Sequence, residues 1–449
     1  MTTRKVSRRQ FVGGAAAVGA GAALSPTSPA TAVAGAGEGG EAFSATRTTA
    51  HNVRAVGYSD LDGRGGGFKL AIQEVAGRWY LYMGHLWHRG WSILDVTDPR
   101  QPEVLNFIEG PANTWTIQMD VEDNLMITSL EQMPASWGGD PSAPFDEGVL
   151  IWDLADDPVH PRLLGHFRTE GSGTHRNGYP GGRYVHLAAG MPGFSRNIYV
   201  IIDIDDPTNP VEVGRWWVPG QHEAGGETPE SGVSLHGPPF VVGDLAYLPY
   251  GAAGLVIVDI SDVTSPQFVG QLDFSPPFNP NIGVHSVLPL VDRGIAVANS
   301  EAIAVRGMEP LNHTSTVDIS DPANPTLLAT FPVPDPPRGA PFPTFHDRGG
   351  RFGPHNTNML YHSPFTDHSD DRIYLAYFNA GLRIYDIGDP RTTPEEVGYF
   401  MPPDPTERFG PQPPDALVLQ AEDVLVDTRG YIYLSNKNQG LWILRETGR

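Results

Sequence analysis

The chain of 449 residues contains no cysteine. That excludes disulfide staples, thiolate metal sites and cysteine nucleophiles, so closure of the fold must come from strand pairing. No apolar run reaches the roughly 18 residues that a spanning helix needs, which argues against a membrane span. Basic charge is scarce, with 30 Lys and Arg against 52 Asp and Glu, a formal net charge of −22. An acidic surface keeps a chain soluble and argues against nucleic acid or an anionic membrane as partner, since both need a basic face. Also missing are a Gly-Lys-Ser/Thr phosphate loop, a Gly-x-Ser-x-Gly elbow and a His-Glu-x-x-His helix. The cluster Gly63-Arg64-Gly65-Gly66-Gly67-Phe68 lacks the Lys-Ser/Thr of a phosphate cradle and reads as a turn between strands.

What is abundant is turn chemistry, with 52 Gly and 43 Pro, and one recurring phrase. It reads Gly254-Leu255-Val256-Ile257-Val258-Asp259-Ile260-Ser261-Asp262 in its fullest form, closed by Pro266. Copies begin at Gly90, Gly148, Ile198, Thr316 and Gly381, and a last one, Gly440-Leu441-Trp442-Ile443-Leu444, stops near the end of the sequence. The repeat Asp returns roughly every 50 to 70 residues, too long for a helical solenoid and right for a four-stranded blade with generous loops. Each copy is a β-branched run ended by Asp-Pro or a nearby Pro, hence a buried strand followed by a turn. Seven phrases predict an all-β fold, a single seven-bladed β-propeller, with N- and C-terminal strands closing the last blade. The stretch around Thr48 to Gly57 is available for that closure, which would leave no open sheet edge. Asp95, Asp153, Asp203, Asp259, Asp318 and Asp386 read as turn caps, not as metal ligands.

These phrases, together with Leu235-His236-Gly237-Pro238-Pro239 and Asn379-Ala380-Gly381-Leu382-Arg383-Ile384-Tyr385-Asp386, give the chain a second kind of identity. It resembles the LVIVD-repeat proteins over most of residues 48–449, and the resemblance implies a propeller without implying a reaction.

Ahead of the repeats stands Ser7-Arg8-Arg9-Gln10-Phe11-Val12, a Gly/Ala-rich stretch from Gly13 to Leu24 and small residues through Ala34. This looks like a twin-arginine signal peptide over 1–34, followed by a linker over 35–47 and the propeller over 48–449. An ordinary secretory signal with paired arginines is the plainer alternative; the Phe after the pair and the weak apolar core favour the twin-arginine export machinery as partner. The expected location is then periplasmic, cell-envelope or extracellular.

In a propeller the innermost strands start near one mouth of the central channel, so a residue repeated there forms a ring. Counting back from the phrases places His175, His236, His285 and His355 at matched positions, with Glu422 in the last blade. Neutral imidazoles converging on one axis suit a divalent transition metal: iron, copper, manganese or zinc. Their second ring nitrogens would need partners to fix the tautomers, and Glu422, Asp423 and Glu301 are candidates. Repeats also duplicate structural residues, and each His taken singly is explained as well by a hydrogen bond to a neighbouring blade. The second blade carries Trp115 and Ile117 instead, a departure from the fuller ring that the resemblance implies. Arg176, next to His175, would face the same mouth and bind a substrate carboxylate, unless a blade Asp pairs with it. Glu422 is the placed general base or the group supporting a ligand. His85 and His88 read as mouth or surface residues, and His362 and His368 as local turn chemistry.

Two functions follow. One is an exported metal-dependent enzyme acting on a small organic substrate, with oxygenase, lyase and hydrolase chemistry all open. The other is a non-catalytic propeller that holds a protein or glycan in its loops, such as the inserts Glu131 to Glu147 and Pro332 to Gly353. Inserts on the histidine mouth would roof an active site; inserts on the opposite mouth would favour a partner surface. The sequence leaves the oligomeric state open.

Overall fold

In the computed structural model, which describes residues 49–226, 228–229, 231–274, 278, 280–359 and 362–448, the described strands form five four-stranded sheets and one nine-stranded sheet that holds two blades, a set consistent with seven blades. The expected signal peptide and linker lie outside the described residues. The first blade is Gly67–Val75, Arg78–His85, Gly90–Asp95 and Glu103–Glu109, paired antiparallel in that order. Each recurring phrase forms the third strand of its blade, as with Leu255–Asp259 between Leu245–Pro249 and Gln267–Leu272. Blades two and three are joined into one sheet where Gly173 pairs with Glu131.

The core lies between blades. Alternate side chains of a strand face opposite sides of its sheet, so a blade with apolar residues on both faces must be covered on both. Val200 and Ile202 pack toward blade two, for example, while Tyr199 and Ile201 pack toward blade four. The cluster that joins Leu70 and Leu81 of blade one to Tyr433 and Ile443 of blade seven completes the circle.

Closure uses the N-terminal stretch twice. Val53–Ser59 is the outer strand of the last blade, paired with Gly440–Glu446. Thr49–His51 instead lies against Glu395–Met401 and adds a strand to blade six, a use that the sequence pattern had not separated from the first. Blade six needs no help at its centre, where His355 to Asn358 bonds to Tyr374 and Ala376 as an irregular inner strand.

The repeat residues have local causes. The glycine opening a phrase sits at positive φ, +83° at Gly254, and a Cβ there would strike the Leu272 carbonyl oxygen of the outer strand. The repeat Asp accepts from the backbone N–H two residues on: Thr97 to Asp95, Ala155 to Asp153, Asp205 to Asp203, Ser261 to Asp259, Ser320 to Asp318 and Gly388 to Asp386. These are Asx turns, the structural role read from the phrase.

Candidate functional site

Inner strands are not regular where they meet the axis. Their register slips between Thr174 and Arg176, between Ile282 and Ser286, and between Ala421 and Val424. A bulge adds a residue to one strand and re-aims its side chains. Consecutive residues thereby reach the same cluster, His175 with Arg176 and His285 with Ser286.

The four histidines stand side by side. Ring centroids are 4.5 Å apart for His175 and His236, 5.2 Å for His236 and His285, and 4.7 Å for His285 and His355. The Glu301 carboxylate lies in front of three of them. It is 3.1 Å from His236 Nε2, 3.5 Å from His285 Nε2 and 3.8 Å from His355 Nε2, and it pairs with Arg351 at 2.9 Å. His236, His285 and Glu301 bring one ligand atom each within 4.8 Å of one another, close enough to share a metal ion.

The far side of each ring shows which nitrogen carries the proton. His355 Nδ1 lies 2.6 Å from the backbone carbonyl oxygen of Glu422, which can only accept, so Nδ1 donates and Nε2 is a lone pair. His175 Nδ1 donates to the Glu131 carboxylate at 2.6 Å, and its buried Nε2 has no protein partner. Arg176 donates to His285 Nε2 at 2.7 Å, so His285 Nδ1 donates to Ser286 Oγ, also at 2.7 Å. His355 and His285 thus present Nε2 lone pairs, and both face the Glu301 carboxylate.

Burial keeps His236, His285 and His355 neutral. It pulls His236 down to about 4, opposed by its Glu301 bond, and holds His285 and His355 well below the usual imidazole range. Burial pushes Glu301 up, but the His236 bond, the other imidazoles and Arg351 outweigh it and hold the carboxyl well below its ordinary value. Glu422 and Asp423 are both raised by burial, against Lys437 and Lys69 respectively. Burial lowers Lys437 to about 8. His236 keeps 19 % of its side-chain surface open, which makes its flank the approach to the cluster.

Of the partners expected to hold the tautomers, Glu422 does so through its backbone carbonyl, while its carboxylate pairs with Lys437 at 2.8 Å. Asp423 instead pairs with Lys69 at 3.4 Å and accepts from the Leu70 N–H. Glu301 stands on the Nε2 side, among the would-be ligands. Glu131, Arg351 and Lys437 escaped the sequence reading because none lies at the repeat position of an inner strand. Arg176 reaches the cluster and bonds an imidazole, not a blade Asp. His85 is fully buried inside blade one against Phe107 and Ser92, and burial drops it to about 3. His362 packs tilted against Phe240 and lines a hollow at the opposite mouth with Lys69, Asp120 and Tyr179. His368 bonds the Ser363 carbonyl within its own turn.

Both long inserts come to the histidine mouth. The Trp137 ring lies 4.8 Å from Lys437 Nζ and 5.1 Å from the Arg351 guanidinium, stacked on Trp87 and edge-on to Trp115. Pro332 to Gly353 supplies Arg351 itself. A third segment reaches over with Gln412 near the Ser136 carbonyl.

A family model described as the LVIVD repeat matches residues 193–217, 240–273 and 314–332. No curated protein matches the chain. Among solved structures it is similar to the β-propeller domain of Cps50 (Swd1) from Myceliophteria thermophila, at 11% identity over 85% of this chain and 99% of that one, with a TM-score of 0.51. It is also similar to PpgL, the periplasmic gluconolactonase of Pseudomonas aeruginosa, at 10% identity over 89% of this chain and 97% of that one, with a TM-score of 0.49. Identities this low speak of fold alone. The chain is an all-β propeller that carries LVIVD repeats.

Proposed function

We propose that this propeller is a metal-dependent enzyme whose divalent transition metal is held at the axis by His236, His285 and Glu301, with His355 and His175 completing the histidine arc. The observation that carries the reading is the set of outer partners: Glu131 on His175 Nδ1, Ser286 on His285 Nδ1 and the Glu422 carbonyl on His355 Nδ1. Metal-binding histidines characteristically donate their second N–H in this way, which orients the ring and raises its basicity. The His355 Nε2 lone pair and the Glu301 carboxylate, 3.8 Å apart, turn two acceptors to one space that a cation would fill. Neutral imidazoles with one carboxylate suit iron, copper, manganese or zinc, and the ion would polarise a bound oxygen or activate dioxygen or water there.

The chain's own residues do the rest. Glu422 stands behind His355 and acts through it as a positioning residue. The His236 flank admits a small substrate, and Trp137 with its neighbours excludes bulk water above the cluster. Both inserts lying over this mouth favour an active site over a protein- or glycan-binding rim on the opposite mouth. The N-terminal segment is read as delivering the folded protein through the twin-arginine export machinery, a route compatible with a preloaded ion.

Elemental analysis of the protein purified without a histidine tag tests the reading. About one transition-metal ion per chain is expected, and less than a tenth of it in His285→Ala. A fully folded wild type without metal after reconstitution would return the arc to structural duty.

A further inference from the structure

Arg176 is 2 % exposed and stands apart from the other buried cations of the channel. Arg351 has Glu301 at 2.9 Å, Lys437 has Glu422 at 2.8 Å and Lys69 has Asp423 at 3.4 Å. Among the described residues no carboxylate lies within ion-pairing distance of Arg176; Glu301, Asp423, Glu131 and Glu422 act on it only at longer range. Its hydrogen bond goes to a neutral imidazole nitrogen, and its Nε is buried without a partner. Burying an unpaired charge is costly, so a guanidinium held this way is kept for something that arrives.

Resting on the active-site reading of this mouth, we propose that Arg176 anchors the carboxylate of the substrate, a small organic acid with an apolar or aromatic body. The guanidinium fork offers Nε and a terminal nitrogen to the two carboxylate oxygens, a match of planar groups. The walls suit the apolar part. Phe68 lies 5.8 Å from the Arg176 guanidinium and 5.6 Å from the His355 ring, and Trp115 lies 6.3 Å from His175. A phosphate would ask for more donors than this aromatic wall supplies.

The same geometry couples anion to metal. Arg176 occupies the His285 Nε2 lone pair. A carboxylate that draws the guanidinium away frees that lone pair for the ion, so each ligand strengthens the other by the same factor.

The test is a titration of the full-length protein with benzoate, acetate and inorganic phosphate at constant ionic strength, followed by calorimetry, with metal content and affinity read on the same samples. Benzoate should bind the wild type and bind Arg176→Met at least tenfold more weakly, with Arg176→Lys between them. Zinc should bind Arg176→Met at least as tightly as the wild type, and benzoate should tighten zinc only where Arg176 is present. Equal benzoate affinity in wild type and Arg176→Met would overturn the anchor, as would failure of both carboxylates to bind the wild type or a preference for phosphate. If Arg176→Met does not fold, Arg176→Lys decides, and wild-type benzoate affinity in it overturns the bidentate anchor. Arg176-dependent benzoate binding in a protein that takes up no metal would uphold the anchor while removing the metal reading.

Discussion

His355 Nδ1 donates to the backbone carbonyl oxygen of Glu422, 2.6 Å away across a blade boundary, and that bond decides the chemistry of the ring's other nitrogen. A carbonyl has no proton to give, so Nε2 is left as a lone pair directed at Glu301. The contact ties the sixth blade to the seventh and sets a candidate ligand in the same stroke.

The equivalent bond at His175 can be removed without touching a backbone. Glu131→Ala should leave the fold intact and weaken metal binding by roughly ten- to a hundredfold, the usual cost of losing an orienting partner. Competition with a chromophoric chelator measures it; an unchanged affinity would show that His175 is not held as a ligand.

Gly254 tests the repeat itself. An alanine there would combine φ of +83° with a collision against the Leu272 carbonyl. Gly254→Ala should lower stability by about 1–3 kcal/mol, read as a fall in the urea midpoint. A midpoint at or above wild type would mean that the phrase glycine is not required by its backbone.

Asp120, at the opposite mouth, gives a pH dependence. Burial pushes its carboxyl up to about 7, against Lys69, the Tyr179 N–H and Asn177. Between pH 4 and 7 the folded protein therefore holds a proton that the unfolded chain has released. Stability from this group is lost as pH rises through that window and stays lost above it. Asp120→Asn, uncharged throughout, should gain on the wild type by a few degrees in Tm between pH 4 and pH 8. A difference that stays constant with pH would contradict the raised value.

The two uses of the N-terminal stretch separate by truncation. Starting the chain at Val53 removes only the added strand of blade six and should cost little. Starting it at Asp60 strips the outer strand from Gly440–Glu446 and leaves an open edge, so loss of cooperative melting or aggregation is expected. Size-exclusion chromatography with thermal melts distinguishes the two, and equal behaviour would remove the strand Val53–Ser59 from its role as latch.

The sequence by itself determined the propeller, its seven phrases and the Asx turns, because each of these is local: an apolar β-branched run, a glycine at positive φ, an Asp two residues before a backbone N–H. It also placed His175, His236, His285 and His355 on one mouth, because a repeat carries register from blade to blade. Tertiary structure alone decided what faces them. Glu301 ends the second strand of blade five, Glu131 lies on blade two beside a long insert, and Arg351 sits in a loop 50 residues from its carboxylate. No period in the sequence relates these positions. They meet because closing a ring brings seven strand starts to one axis, and bulges there turn neighbouring side chains the same way. Arg176, the one buried cation of that small space without a carboxylate partner among the described residues, is visible only once the charges around it have been assigned their partners.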